Sequence, residues 1–448
     1  MSRSLLLSLL TYGLLLAGIV TVQGAFLALA LPLVTYLLIG YLQAPETIKL
    51  EATRHLSAER TSPNSDVEVT VTLTNRGSNL EEILLEDDLP FGLTIRSGPS
   101  SPLRMSSSPL TTVPVFFGRT NRHLLRLAKG GTYTFAYTVS GPRGGYVFDG
   151  LGVQVNDHLA VSRSKVRVEA KGRLFILPPV TRVRNIAIRP RRTRVYAGTI
   201  PARAGGTGTE FFGVREYQPG DPPHSINWRA SARYSDTLYA NEYQQERVAD
   251  VGIVLDGRLR TNQFGRGHAL FEYSVQAAAS LADALLNQGN RVGLLLYASF
   301  LGWTFPGYGK IQRERILHAL ANAKTGESQV FSDLEHIPTR LFPPESQLIF
   351  VSPLMEDDLK PLVRLRAQGY DVLVVSPNPV RFELSYLPSS DPGVELAGRI
   401  IHMERLLLLQ RLQRANIHVL DWDVKEPFDL FVKRRLGRSP AWLRAIGR

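Results

Sequence analysis

Val251-Gly-Ile-Val-Leu-Asp256 is a short apolar run that ends in a carboxylate. Such a run, without alternation, reads as a strand buried on both faces, the mark of a parallel sheet covered by helices. The chain beyond it keeps the same rhythm. His268–Asn287 has helical spacing, Arg291–Tyr297 reads as a strand and Lys310–Ala323 as a helix. Gln347–Ser352 and Asp371–Ser376 read as strands on either side of a helix over Asp357–Gln368. A long helix within Gly393–Ala415 precedes a last strand over Asn416–Asp421. Alternating strands and helices predict a doubly wound α/β domain over 248–448. In such sheets ligands sit at the carboxyl ends of strands, where Asp256 falls.

Upstream the period changes. Val67-Glu-Val-Thr-Val-Thr-Leu73 alternates apolar and polar residues, as a half-buried strand does. Glu82–Leu85, Leu93–Arg96, Thr112–Phe117, Thr132–Val139 and Val161–Val168 read the same way, and Asn75-Arg-Gly77 is turn chemistry. Residues 46–170 are therefore expected to form an immunoglobulin-like β-sandwich. Its acidic cluster, Glu81, Glu82, Glu86, Asp87 and Asp88, suits either a Ca²⁺ site or a charge-protected strand edge.

No charged side chain occurs from Ser4 to Pro45. One helix over Leu5–Leu42 would be about 57 Å long, against a hydrocarbon core of about 30 Å. A break at Gln23-Gly24 gives two runs, 5–22 and 25–42, each just long enough to cross. The expectation over 1–45 is a transmembrane helical hairpin, with Pro32 kinking its second helix. Arg3 before the first helix and an uncharged turn place both ends, and the soluble domains, in the cytoplasm.

The net charge is +12, and it is concentrated. Lys171 to Thr209 holds Lys171, Arg173, Arg182, Arg184, Arg189, Arg191, Arg192, Arg194 and Arg203 and no acid. Lys433, Arg434, Arg435, Arg438, Arg444 and Arg448 repeat the bias at the end. Such stretches attract anionic lipid or an acidic protein, or form a solvated face. Without interleaved aromatics or a recognisable module, nucleic acid is not an expected partner. The chain has no cysteine, which excludes disulfides, thiolate metal sites and Cys-dependent catalysis.

Residues 171–247 read as a basic connector, and they hold the most distinctive segment. It runs Gly208-Thr-Glu-Phe-Phe-Gly-Val-Arg-Glu-Tyr-Gln-Pro-Gly-Asp221, then Ile226-Asn-Trp-Arg-Ala-Ser-Ala-Arg233. Arg215, Glu216, Asp221, Arg229 and Arg233 have the chemistry to fix a loop by ion pairs. Tyr217 and Trp228 offer large bodies for burial, and Pro219-Gly220 suits a type II turn. The segment is either a structural clamp, with Trp228 in a core, or a partner-binding surface.

These runs, with Arg215, Glu216, Tyr217, Asp221, Trp228, Ser231 and Arg233 in their places, closely resemble the bacterial and archaeal family known as domain of unknown function 58. The layout of the whole chain resembles it too. The resemblance implies a von Willebrand A-like (Rossmann-type) fold for the α/β domain, and a MoxR-type AAA+ ATPase as partner in assembling or maturing other proteins.

A von Willebrand A domain holds Mg²⁺ with Asp-x-Ser-x-Ser and with oxygens from two further loops. Here the run is Asp256-Gly-Arg-Leu-Arg260, and the later strand ends Ser352-Pro-Leu354. The metal site is degenerate, and Asp256 is expected to pair with Arg258 or Arg260 instead. Gly307-Tyr-Gly-Lys310 lacks the spacing of a phosphate-binding loop, and no hydrolase motif is present, so no cofactor and no catalytic residue is expected. Asp357-Asp358 reads as a helix N-terminus. The expectation is a non-enzymatic, membrane-anchored adaptor or assembly factor. The alternative is an envelope or adhesion protein with its domains outside the cytoplasm.

Overall fold

A computed structural model describes residues 3–42, 48–97, 104–105, 114–117, 120–156, 163–183, 186, 193–233, 237–262, 270–328, 331, 333–387 and 392–436. The chain divides into two compact units, Met1–Leu177 and Pro178–Arg448.

The first unit begins with two helices, α1 (Arg3–Thr21) and α2 (Gly24–Leu42), joined at Val22-Gln23. They approach closely where Gly18 meets Leu27, since a Cβ on Gly18 would lie 2.9 Å from Leu27. Pro32 lies inside α2, and the Thr35 hydroxyl donates to the carbonyls of Leu31 and Pro32 beside it. Among the described residues no helix is long and apolar enough to cross a membrane.

Two sheets follow, one of five strands and one of six. Alternation puts Val67, Val69, Val71 and Leu73 of the first against Ile83, Leu85, Leu151 and Val153 of the second, in one buried core. Leu80–Asp88 is an interior strand, between Gly144–Asn156 and Thr120–Leu127. That corrects both readings of its acids. Asp87 points inward to Arg54 and Tyr137, while Glu86 pairs with Arg122, Glu81 with Arg126, and Glu82 accepts from Asn156. Glu81, Glu82, Glu86 and Asp87 are thus each engaged by a partner of their own. Among the described residues no group of three or more acidic or histidine side chains is placed to hold a metal.

The expected connector over 171–247 is largely strand. Lys171–Ile176 completes the sandwich strand Arg163–Ile176, and Thr193–Glu216 is one long strand. The latter pairs antiparallel with the first half of β1 (Tyr239–Asp256), from Thr193↔Ala249 to Glu216↔Tyr239. The second half of β1 enters the main sheet with β2 (Arg291–Tyr297), β3 (Leu301–Gly307), β4 (Gln347–Val351), β5 (Asp371–Pro377) and β6 (His418–Trp422). The spatial order is β3-β2-β1-β4-β5-β6, parallel except for β3. Order reverses at β1, so the carboxyl ends of β1 and β4 flank the switch point. The longer helices are α3 (Leu270–Asn287), α4 (Gly309–Ala321), α5 (Leu359–Ala367), α6 (Pro392–Arg414) and α7 (Phe428–Leu436), with short helices at Trp228–Ser231 and Pro379–Leu384. Leu362 of α5 and Leu408, Leu409 and Leu412 of α6 pack with Val254, Phe350 and Val374 on one face of the sheet.

Of the basic stretch, Lys171, Arg173 and Arg182 are exposed, as are Lys433, Arg434 and Arg435 of the last turn of α7. Arg184, Arg189, Arg191, Arg192, Arg438, Arg444 and Arg448 lie outside the described residues, and nothing is described of the side chains of Arg194 and Arg203.

Candidate functional site

The carboxyl ends of the strands are filled from within. Asp256 ends β1 fully buried, and Arg258 folds back onto it, Nε to Oδ1 at 2.9 Å and Nη2 to Oδ2 at 2.8 Å. The same guanidinium donates to both oxygens of Asp358, at 2.8 and 2.9 Å. The Ser352 hydroxyl at the end of β4 donates to Asp256 Oδ2 at 2.6 Å. Asp358 also accepts from the Met355 amide, which closes the turn that leads into α5. Burial opposes charge on Arg258, but the two carboxylates outweigh burial and raise its pKa. For Asp358 burial dominates and pushes the carboxyl up, against the pull of the guanidinium.

A second arginine seals the rest of the edge. Arg405 of α6, itself buried, donates to Asp421 of β6 at 2.6 Å, to the Ser376 hydroxyl of β5 at 2.9 Å and to the Pro353 carbonyl at 2.9 Å. The crevice where open α/β sheets take ligands thus has its strand-end acceptors engaged by guanidinium groups of the chain itself. The Asp256–Arg258 pairing was legible in the sequence. Asp358 was read only as a helix N-terminus, and Arg405 carried no signal at all. Arg260 pairs outside the triad with Asp357, at 2.7 Å.

The signature segment lies elsewhere, at the far end of the antiparallel ribbon. Gln218-Pro-Gly-Asp221 is a turn in which Gly220 takes φ +108° and the Asp221 amide donates to the Gln218 carbonyl at 3.0 Å. That conformation is why glycine stands there. The Asp221 carboxylate accepts from Arg215 Nη2 at 2.7 Å and from the Gln218 amide at 3.0 Å, and Tyr217 donates its hydroxyl to the Asp221 carbonyl at 2.8 Å. The Arg215 hydrogen bond is the leading cause that holds the Asp221 carboxyl below the usual carboxylate range.

Asn227 then caps the short helix Trp228–Ser231, its Oδ1 accepting from the Ala230 amide at 2.9 Å. Its Nδ2 donates to Asn241 across the ribbon, and the Ser231 hydroxyl accepts from the Tyr239 amide at 2.9 Å. Asn227 went unnoticed in the sequence, though Asn before a helical turn is the standard cap.

Trp228 overturns an expectation. It is 68% exposed, not part of a core: among the described residues the four-residue helix lies on a two-stranded ribbon that does not bury the indole. Arg229 and Arg233 are exposed beside it and Glu216 is exposed on the ribbon, while Arg215, Tyr217, Asp221 and Ser231 form the scaffold beneath. Phe211, Val214 and Leu238 are exposed on the same ribbon.

Comparison with known proteins agrees with the position of this segment. The "Uncharacterized protein YeaD" of Bacillus subtilis is 26% identical over 265 residues. The match covers 59% of each protein, so this chain spans about three-fifths of the length of that curated relative. Among solved structures, a non-cellulosomal cohesin from the archaeon Archaeoglobus fulgidus is 16% identical, over 28% of this chain and 91% of that one, with a TM-score of 0.21. A type II cohesin domain from the cellulosome of Acetivibrio cellulolyticus is 9% identical, over 28% and 95%, with a TM-score of 0.22. Residues 213–384, which run from the ribbon tip into the α/β sheet, match the family described as "Protein of unknown function DUF58".

Proposed function

We propose that this chain is a non-enzymatic, membrane-anchored adaptor that presents a von Willebrand A-like domain and its projecting ribbon to a MoxR-type AAA+ ATPase. The von Willebrand A-like reading is supported by the strand order, by the antiparallel third strand and by the aspartate that ends the first. The absence of catalysis is favoured by strand ends already saturated by Arg258 and Arg405.

The helical hairpin is the membrane anchor in this reading. The described part of either helix falls short of a crossing by itself. As a packed pair the two expose Leu9, Leu10, Ile19, Val20, Leu31 and Leu38, an apolar surface that lipid would cover. The basic residues flanking the sandwich then face anionic lipid on the cytoplasmic side.

The observation that carries the adaptor reading is the exposure of Trp228 on a tip whose backbone is fixed by Asn227, Ser231 and Asp221. Tryptophan and arginine held rigidly in the open are the residues that dominate interfaces. The experiment is capture of the purified ATPase by the full chain in detergent. Trp228→Ala should cost about 2 kcal/mol of binding or more, as a central aromatic does. Normal capture by a folded Trp228→Ala variant would sink the assignment of the tip as the docking element.

A further inference from the structure

Among the described residues the strand β3 ends the main sheet and is paired on one side, with β2. An edge strand presents a row of free N–H and C=O groups to solvent. Most proteins protect such an edge with charge, yet here Trp303 is 54% and Phe305 65% exposed. Two residues apart on a strand, they stand on the same face.

At the Phe305 end opens a cleft of about 480 Å³, lined among others by Arg291, Phe305, Arg340, Phe342 and Tyr370. No acidic residue lines it. Arg291 is partly engaged, by Asp250 at 3.3 Å and by the Pro306 carbonyl at 3.1 Å. Arg340 is exposed and has no ion-pair partner among the described residues.

We propose that the β3 edge and this cleft bind an extended acidic peptide segment of a partner protein. The segment would add to the sheet as a further strand along Leu301–Thr304, since the Phe305 carbonyl already accepts from Gln312 Nε2 at 2.7 Å. Main-chain hydrogen bonds would supply affinity, and alternate side chains would pack on Trp303 and Phe305. A carboxylate entering the cleft would meet Arg340, and Arg291 behind it, which sets the register and direction of the added strand. Pro306 has no N–H to give, so pairing goes no further, and the site is short and selective instead of an open template for aggregation. The site lies apart from the Trp228 tip and does not depend on its role.

The test uses the full chain in detergent and two short fluorescein-labelled peptides, one alternating Val and Glu, the other Val and Lys. Fluorescence polarisation should show the Glu peptide binding in the micromolar range and the Lys peptide binding at least tenfold more weakly. Arg340→Glu and Trp303→Ala should each weaken the Glu peptide about tenfold. Both residues are exposed, so the melt should stay in place. Equal binding of the two peptides, no binding of the Glu peptide at high micromolar concentration, or unchanged binding by Arg340→Glu would each overturn the proposal. So would a dimer that Trp303→Ala dissolves, because the edge would then belong to a second copy of the chain.

Discussion

Arg258 and Asp358 stand 100 residues apart in sequence and meet through two parallel hydrogen bonds, Nη1 to Oδ1 at 2.8 Å and Nη2 to Oδ2 at 2.9 Å, both side chains buried. The planar fork of arginine presents enough N–H donors for one side chain to satisfy two carboxylates at once. Asp256 and Ser352, the oxygens that a divalent ion would draw together, are drawn together by this guanidinium instead. A cation attached by covalent bonds cannot dissociate. The loop after β1 is therefore tied to the start of α5 whatever the metal concentration.

Removing that cation should be severe. Arg258→Met leaves Asp256 and Asp358 buried without a counter-charge, and breaking a buried pair in this way costs about 3–5 kcal/mol. All four tryptophans lie after Leu177, so tryptophan fluorescence follows the second unit alone. Urea unfolding read by fluorescence should shift to much lower denaturant. Melts of the wild-type chain in EDTA and in millimolar Mg²⁺ should coincide, since specific binding to the folded state would raise the melting temperature. A small shift for Arg258→Met, or a Mg²⁺-dependent rise in the wild type that Asp256→Ala abolishes, would count against the triad.

The sandwich should carry a pH dependence of its own. His123 is buried, bonded through Nδ1 to the Tyr133 hydroxyl at 3.0 Å and packed on Phe135, and burial lowers its pKa to about 4. The unfolded chain binds this proton below about 6.5 and the folded chain only below about 4. Between those values the unfolded state holds more protons, so stability falls as pH falls, by up to about 3 kcal/mol. His123→Gln should flatten that part of the profile, with unfolding of the first unit followed by tyrosine signals. A slope of this sign between pH 4 and 6.5 that survives the substitution would place its origin elsewhere than His123, and not at the buried Asp87, whose carboxyl burial pushes up and whose slope therefore has the opposite sign.

Where the sequence carried a local period, it could be read. The alternation of Val67–Leu73 and the helical spacing before Asn287 each reflect one element against one core, and both lie where expected. β3 was missed because Gly302, Pro306 and Gly307 dilute its pattern, although Trp303 and Phe305 alternate. Thr193–Glu216 was read as linker because Gly198, Pro201, Gly205, Gly206, Gly208 and Gly213 are linker residues everywhere except in a bulged, two-stranded ribbon. Partners distant in sequence, such as Arg405 with Asp421 and Ser376, leave no local trace, because they depend on which strand ends the topology brings side by side. Trp228 was misjudged for a related reason. Its type suggests burial, but burial depends on what packs over the side chain, and among the described residues Trp228 stays exposed.

The topology of the anchor can be tested directly, because the native chain has no cysteine. If both ends of the hairpin face the cytoplasm, a Cys at Ser57 should resist a membrane-impermeant maleimide in intact cells and label once the cells are lysed. The chain should stay with membranes through alkaline washing, and deletion of residues 1–42 should release it. Ready labelling in intact cells would put the sandwich outside and favour an envelope role. Release of the intact chain by alkali would end the anchor reading.

The last prediction separates the shape of the ribbon tip from its contact residue. Gly220 takes φ +108°, and a Cβ there would meet nothing within 4 Å, so Gly220→Ala adds backbone strain without a clash. The cost, about 1 kcal/mol or more, falls on the turn alone. Hydrogen exchange at the Gln218 amide, which donates to Asp221 Oδ2, should quicken, while the main unfolding transition stays in place. The same amide reports the Asp221 carboxylate. Its pKa is held low by Arg215, so the turn keeps its full stability above the unfolded value of about 4 and loses it as pH falls through the lower, folded value. Asp221→Asn should remove that dependence. If the tip binds as a preformed surface, Gly220→Ala should weaken ATPase capture even though Trp228 is intact, because part of the binding energy must now re-form the turn. Unchanged capture by Gly220→Ala together with lost capture by Trp228→Ala would mean that the indole alone carries the contact. Unchanged capture by both would move the docking site off the ribbon.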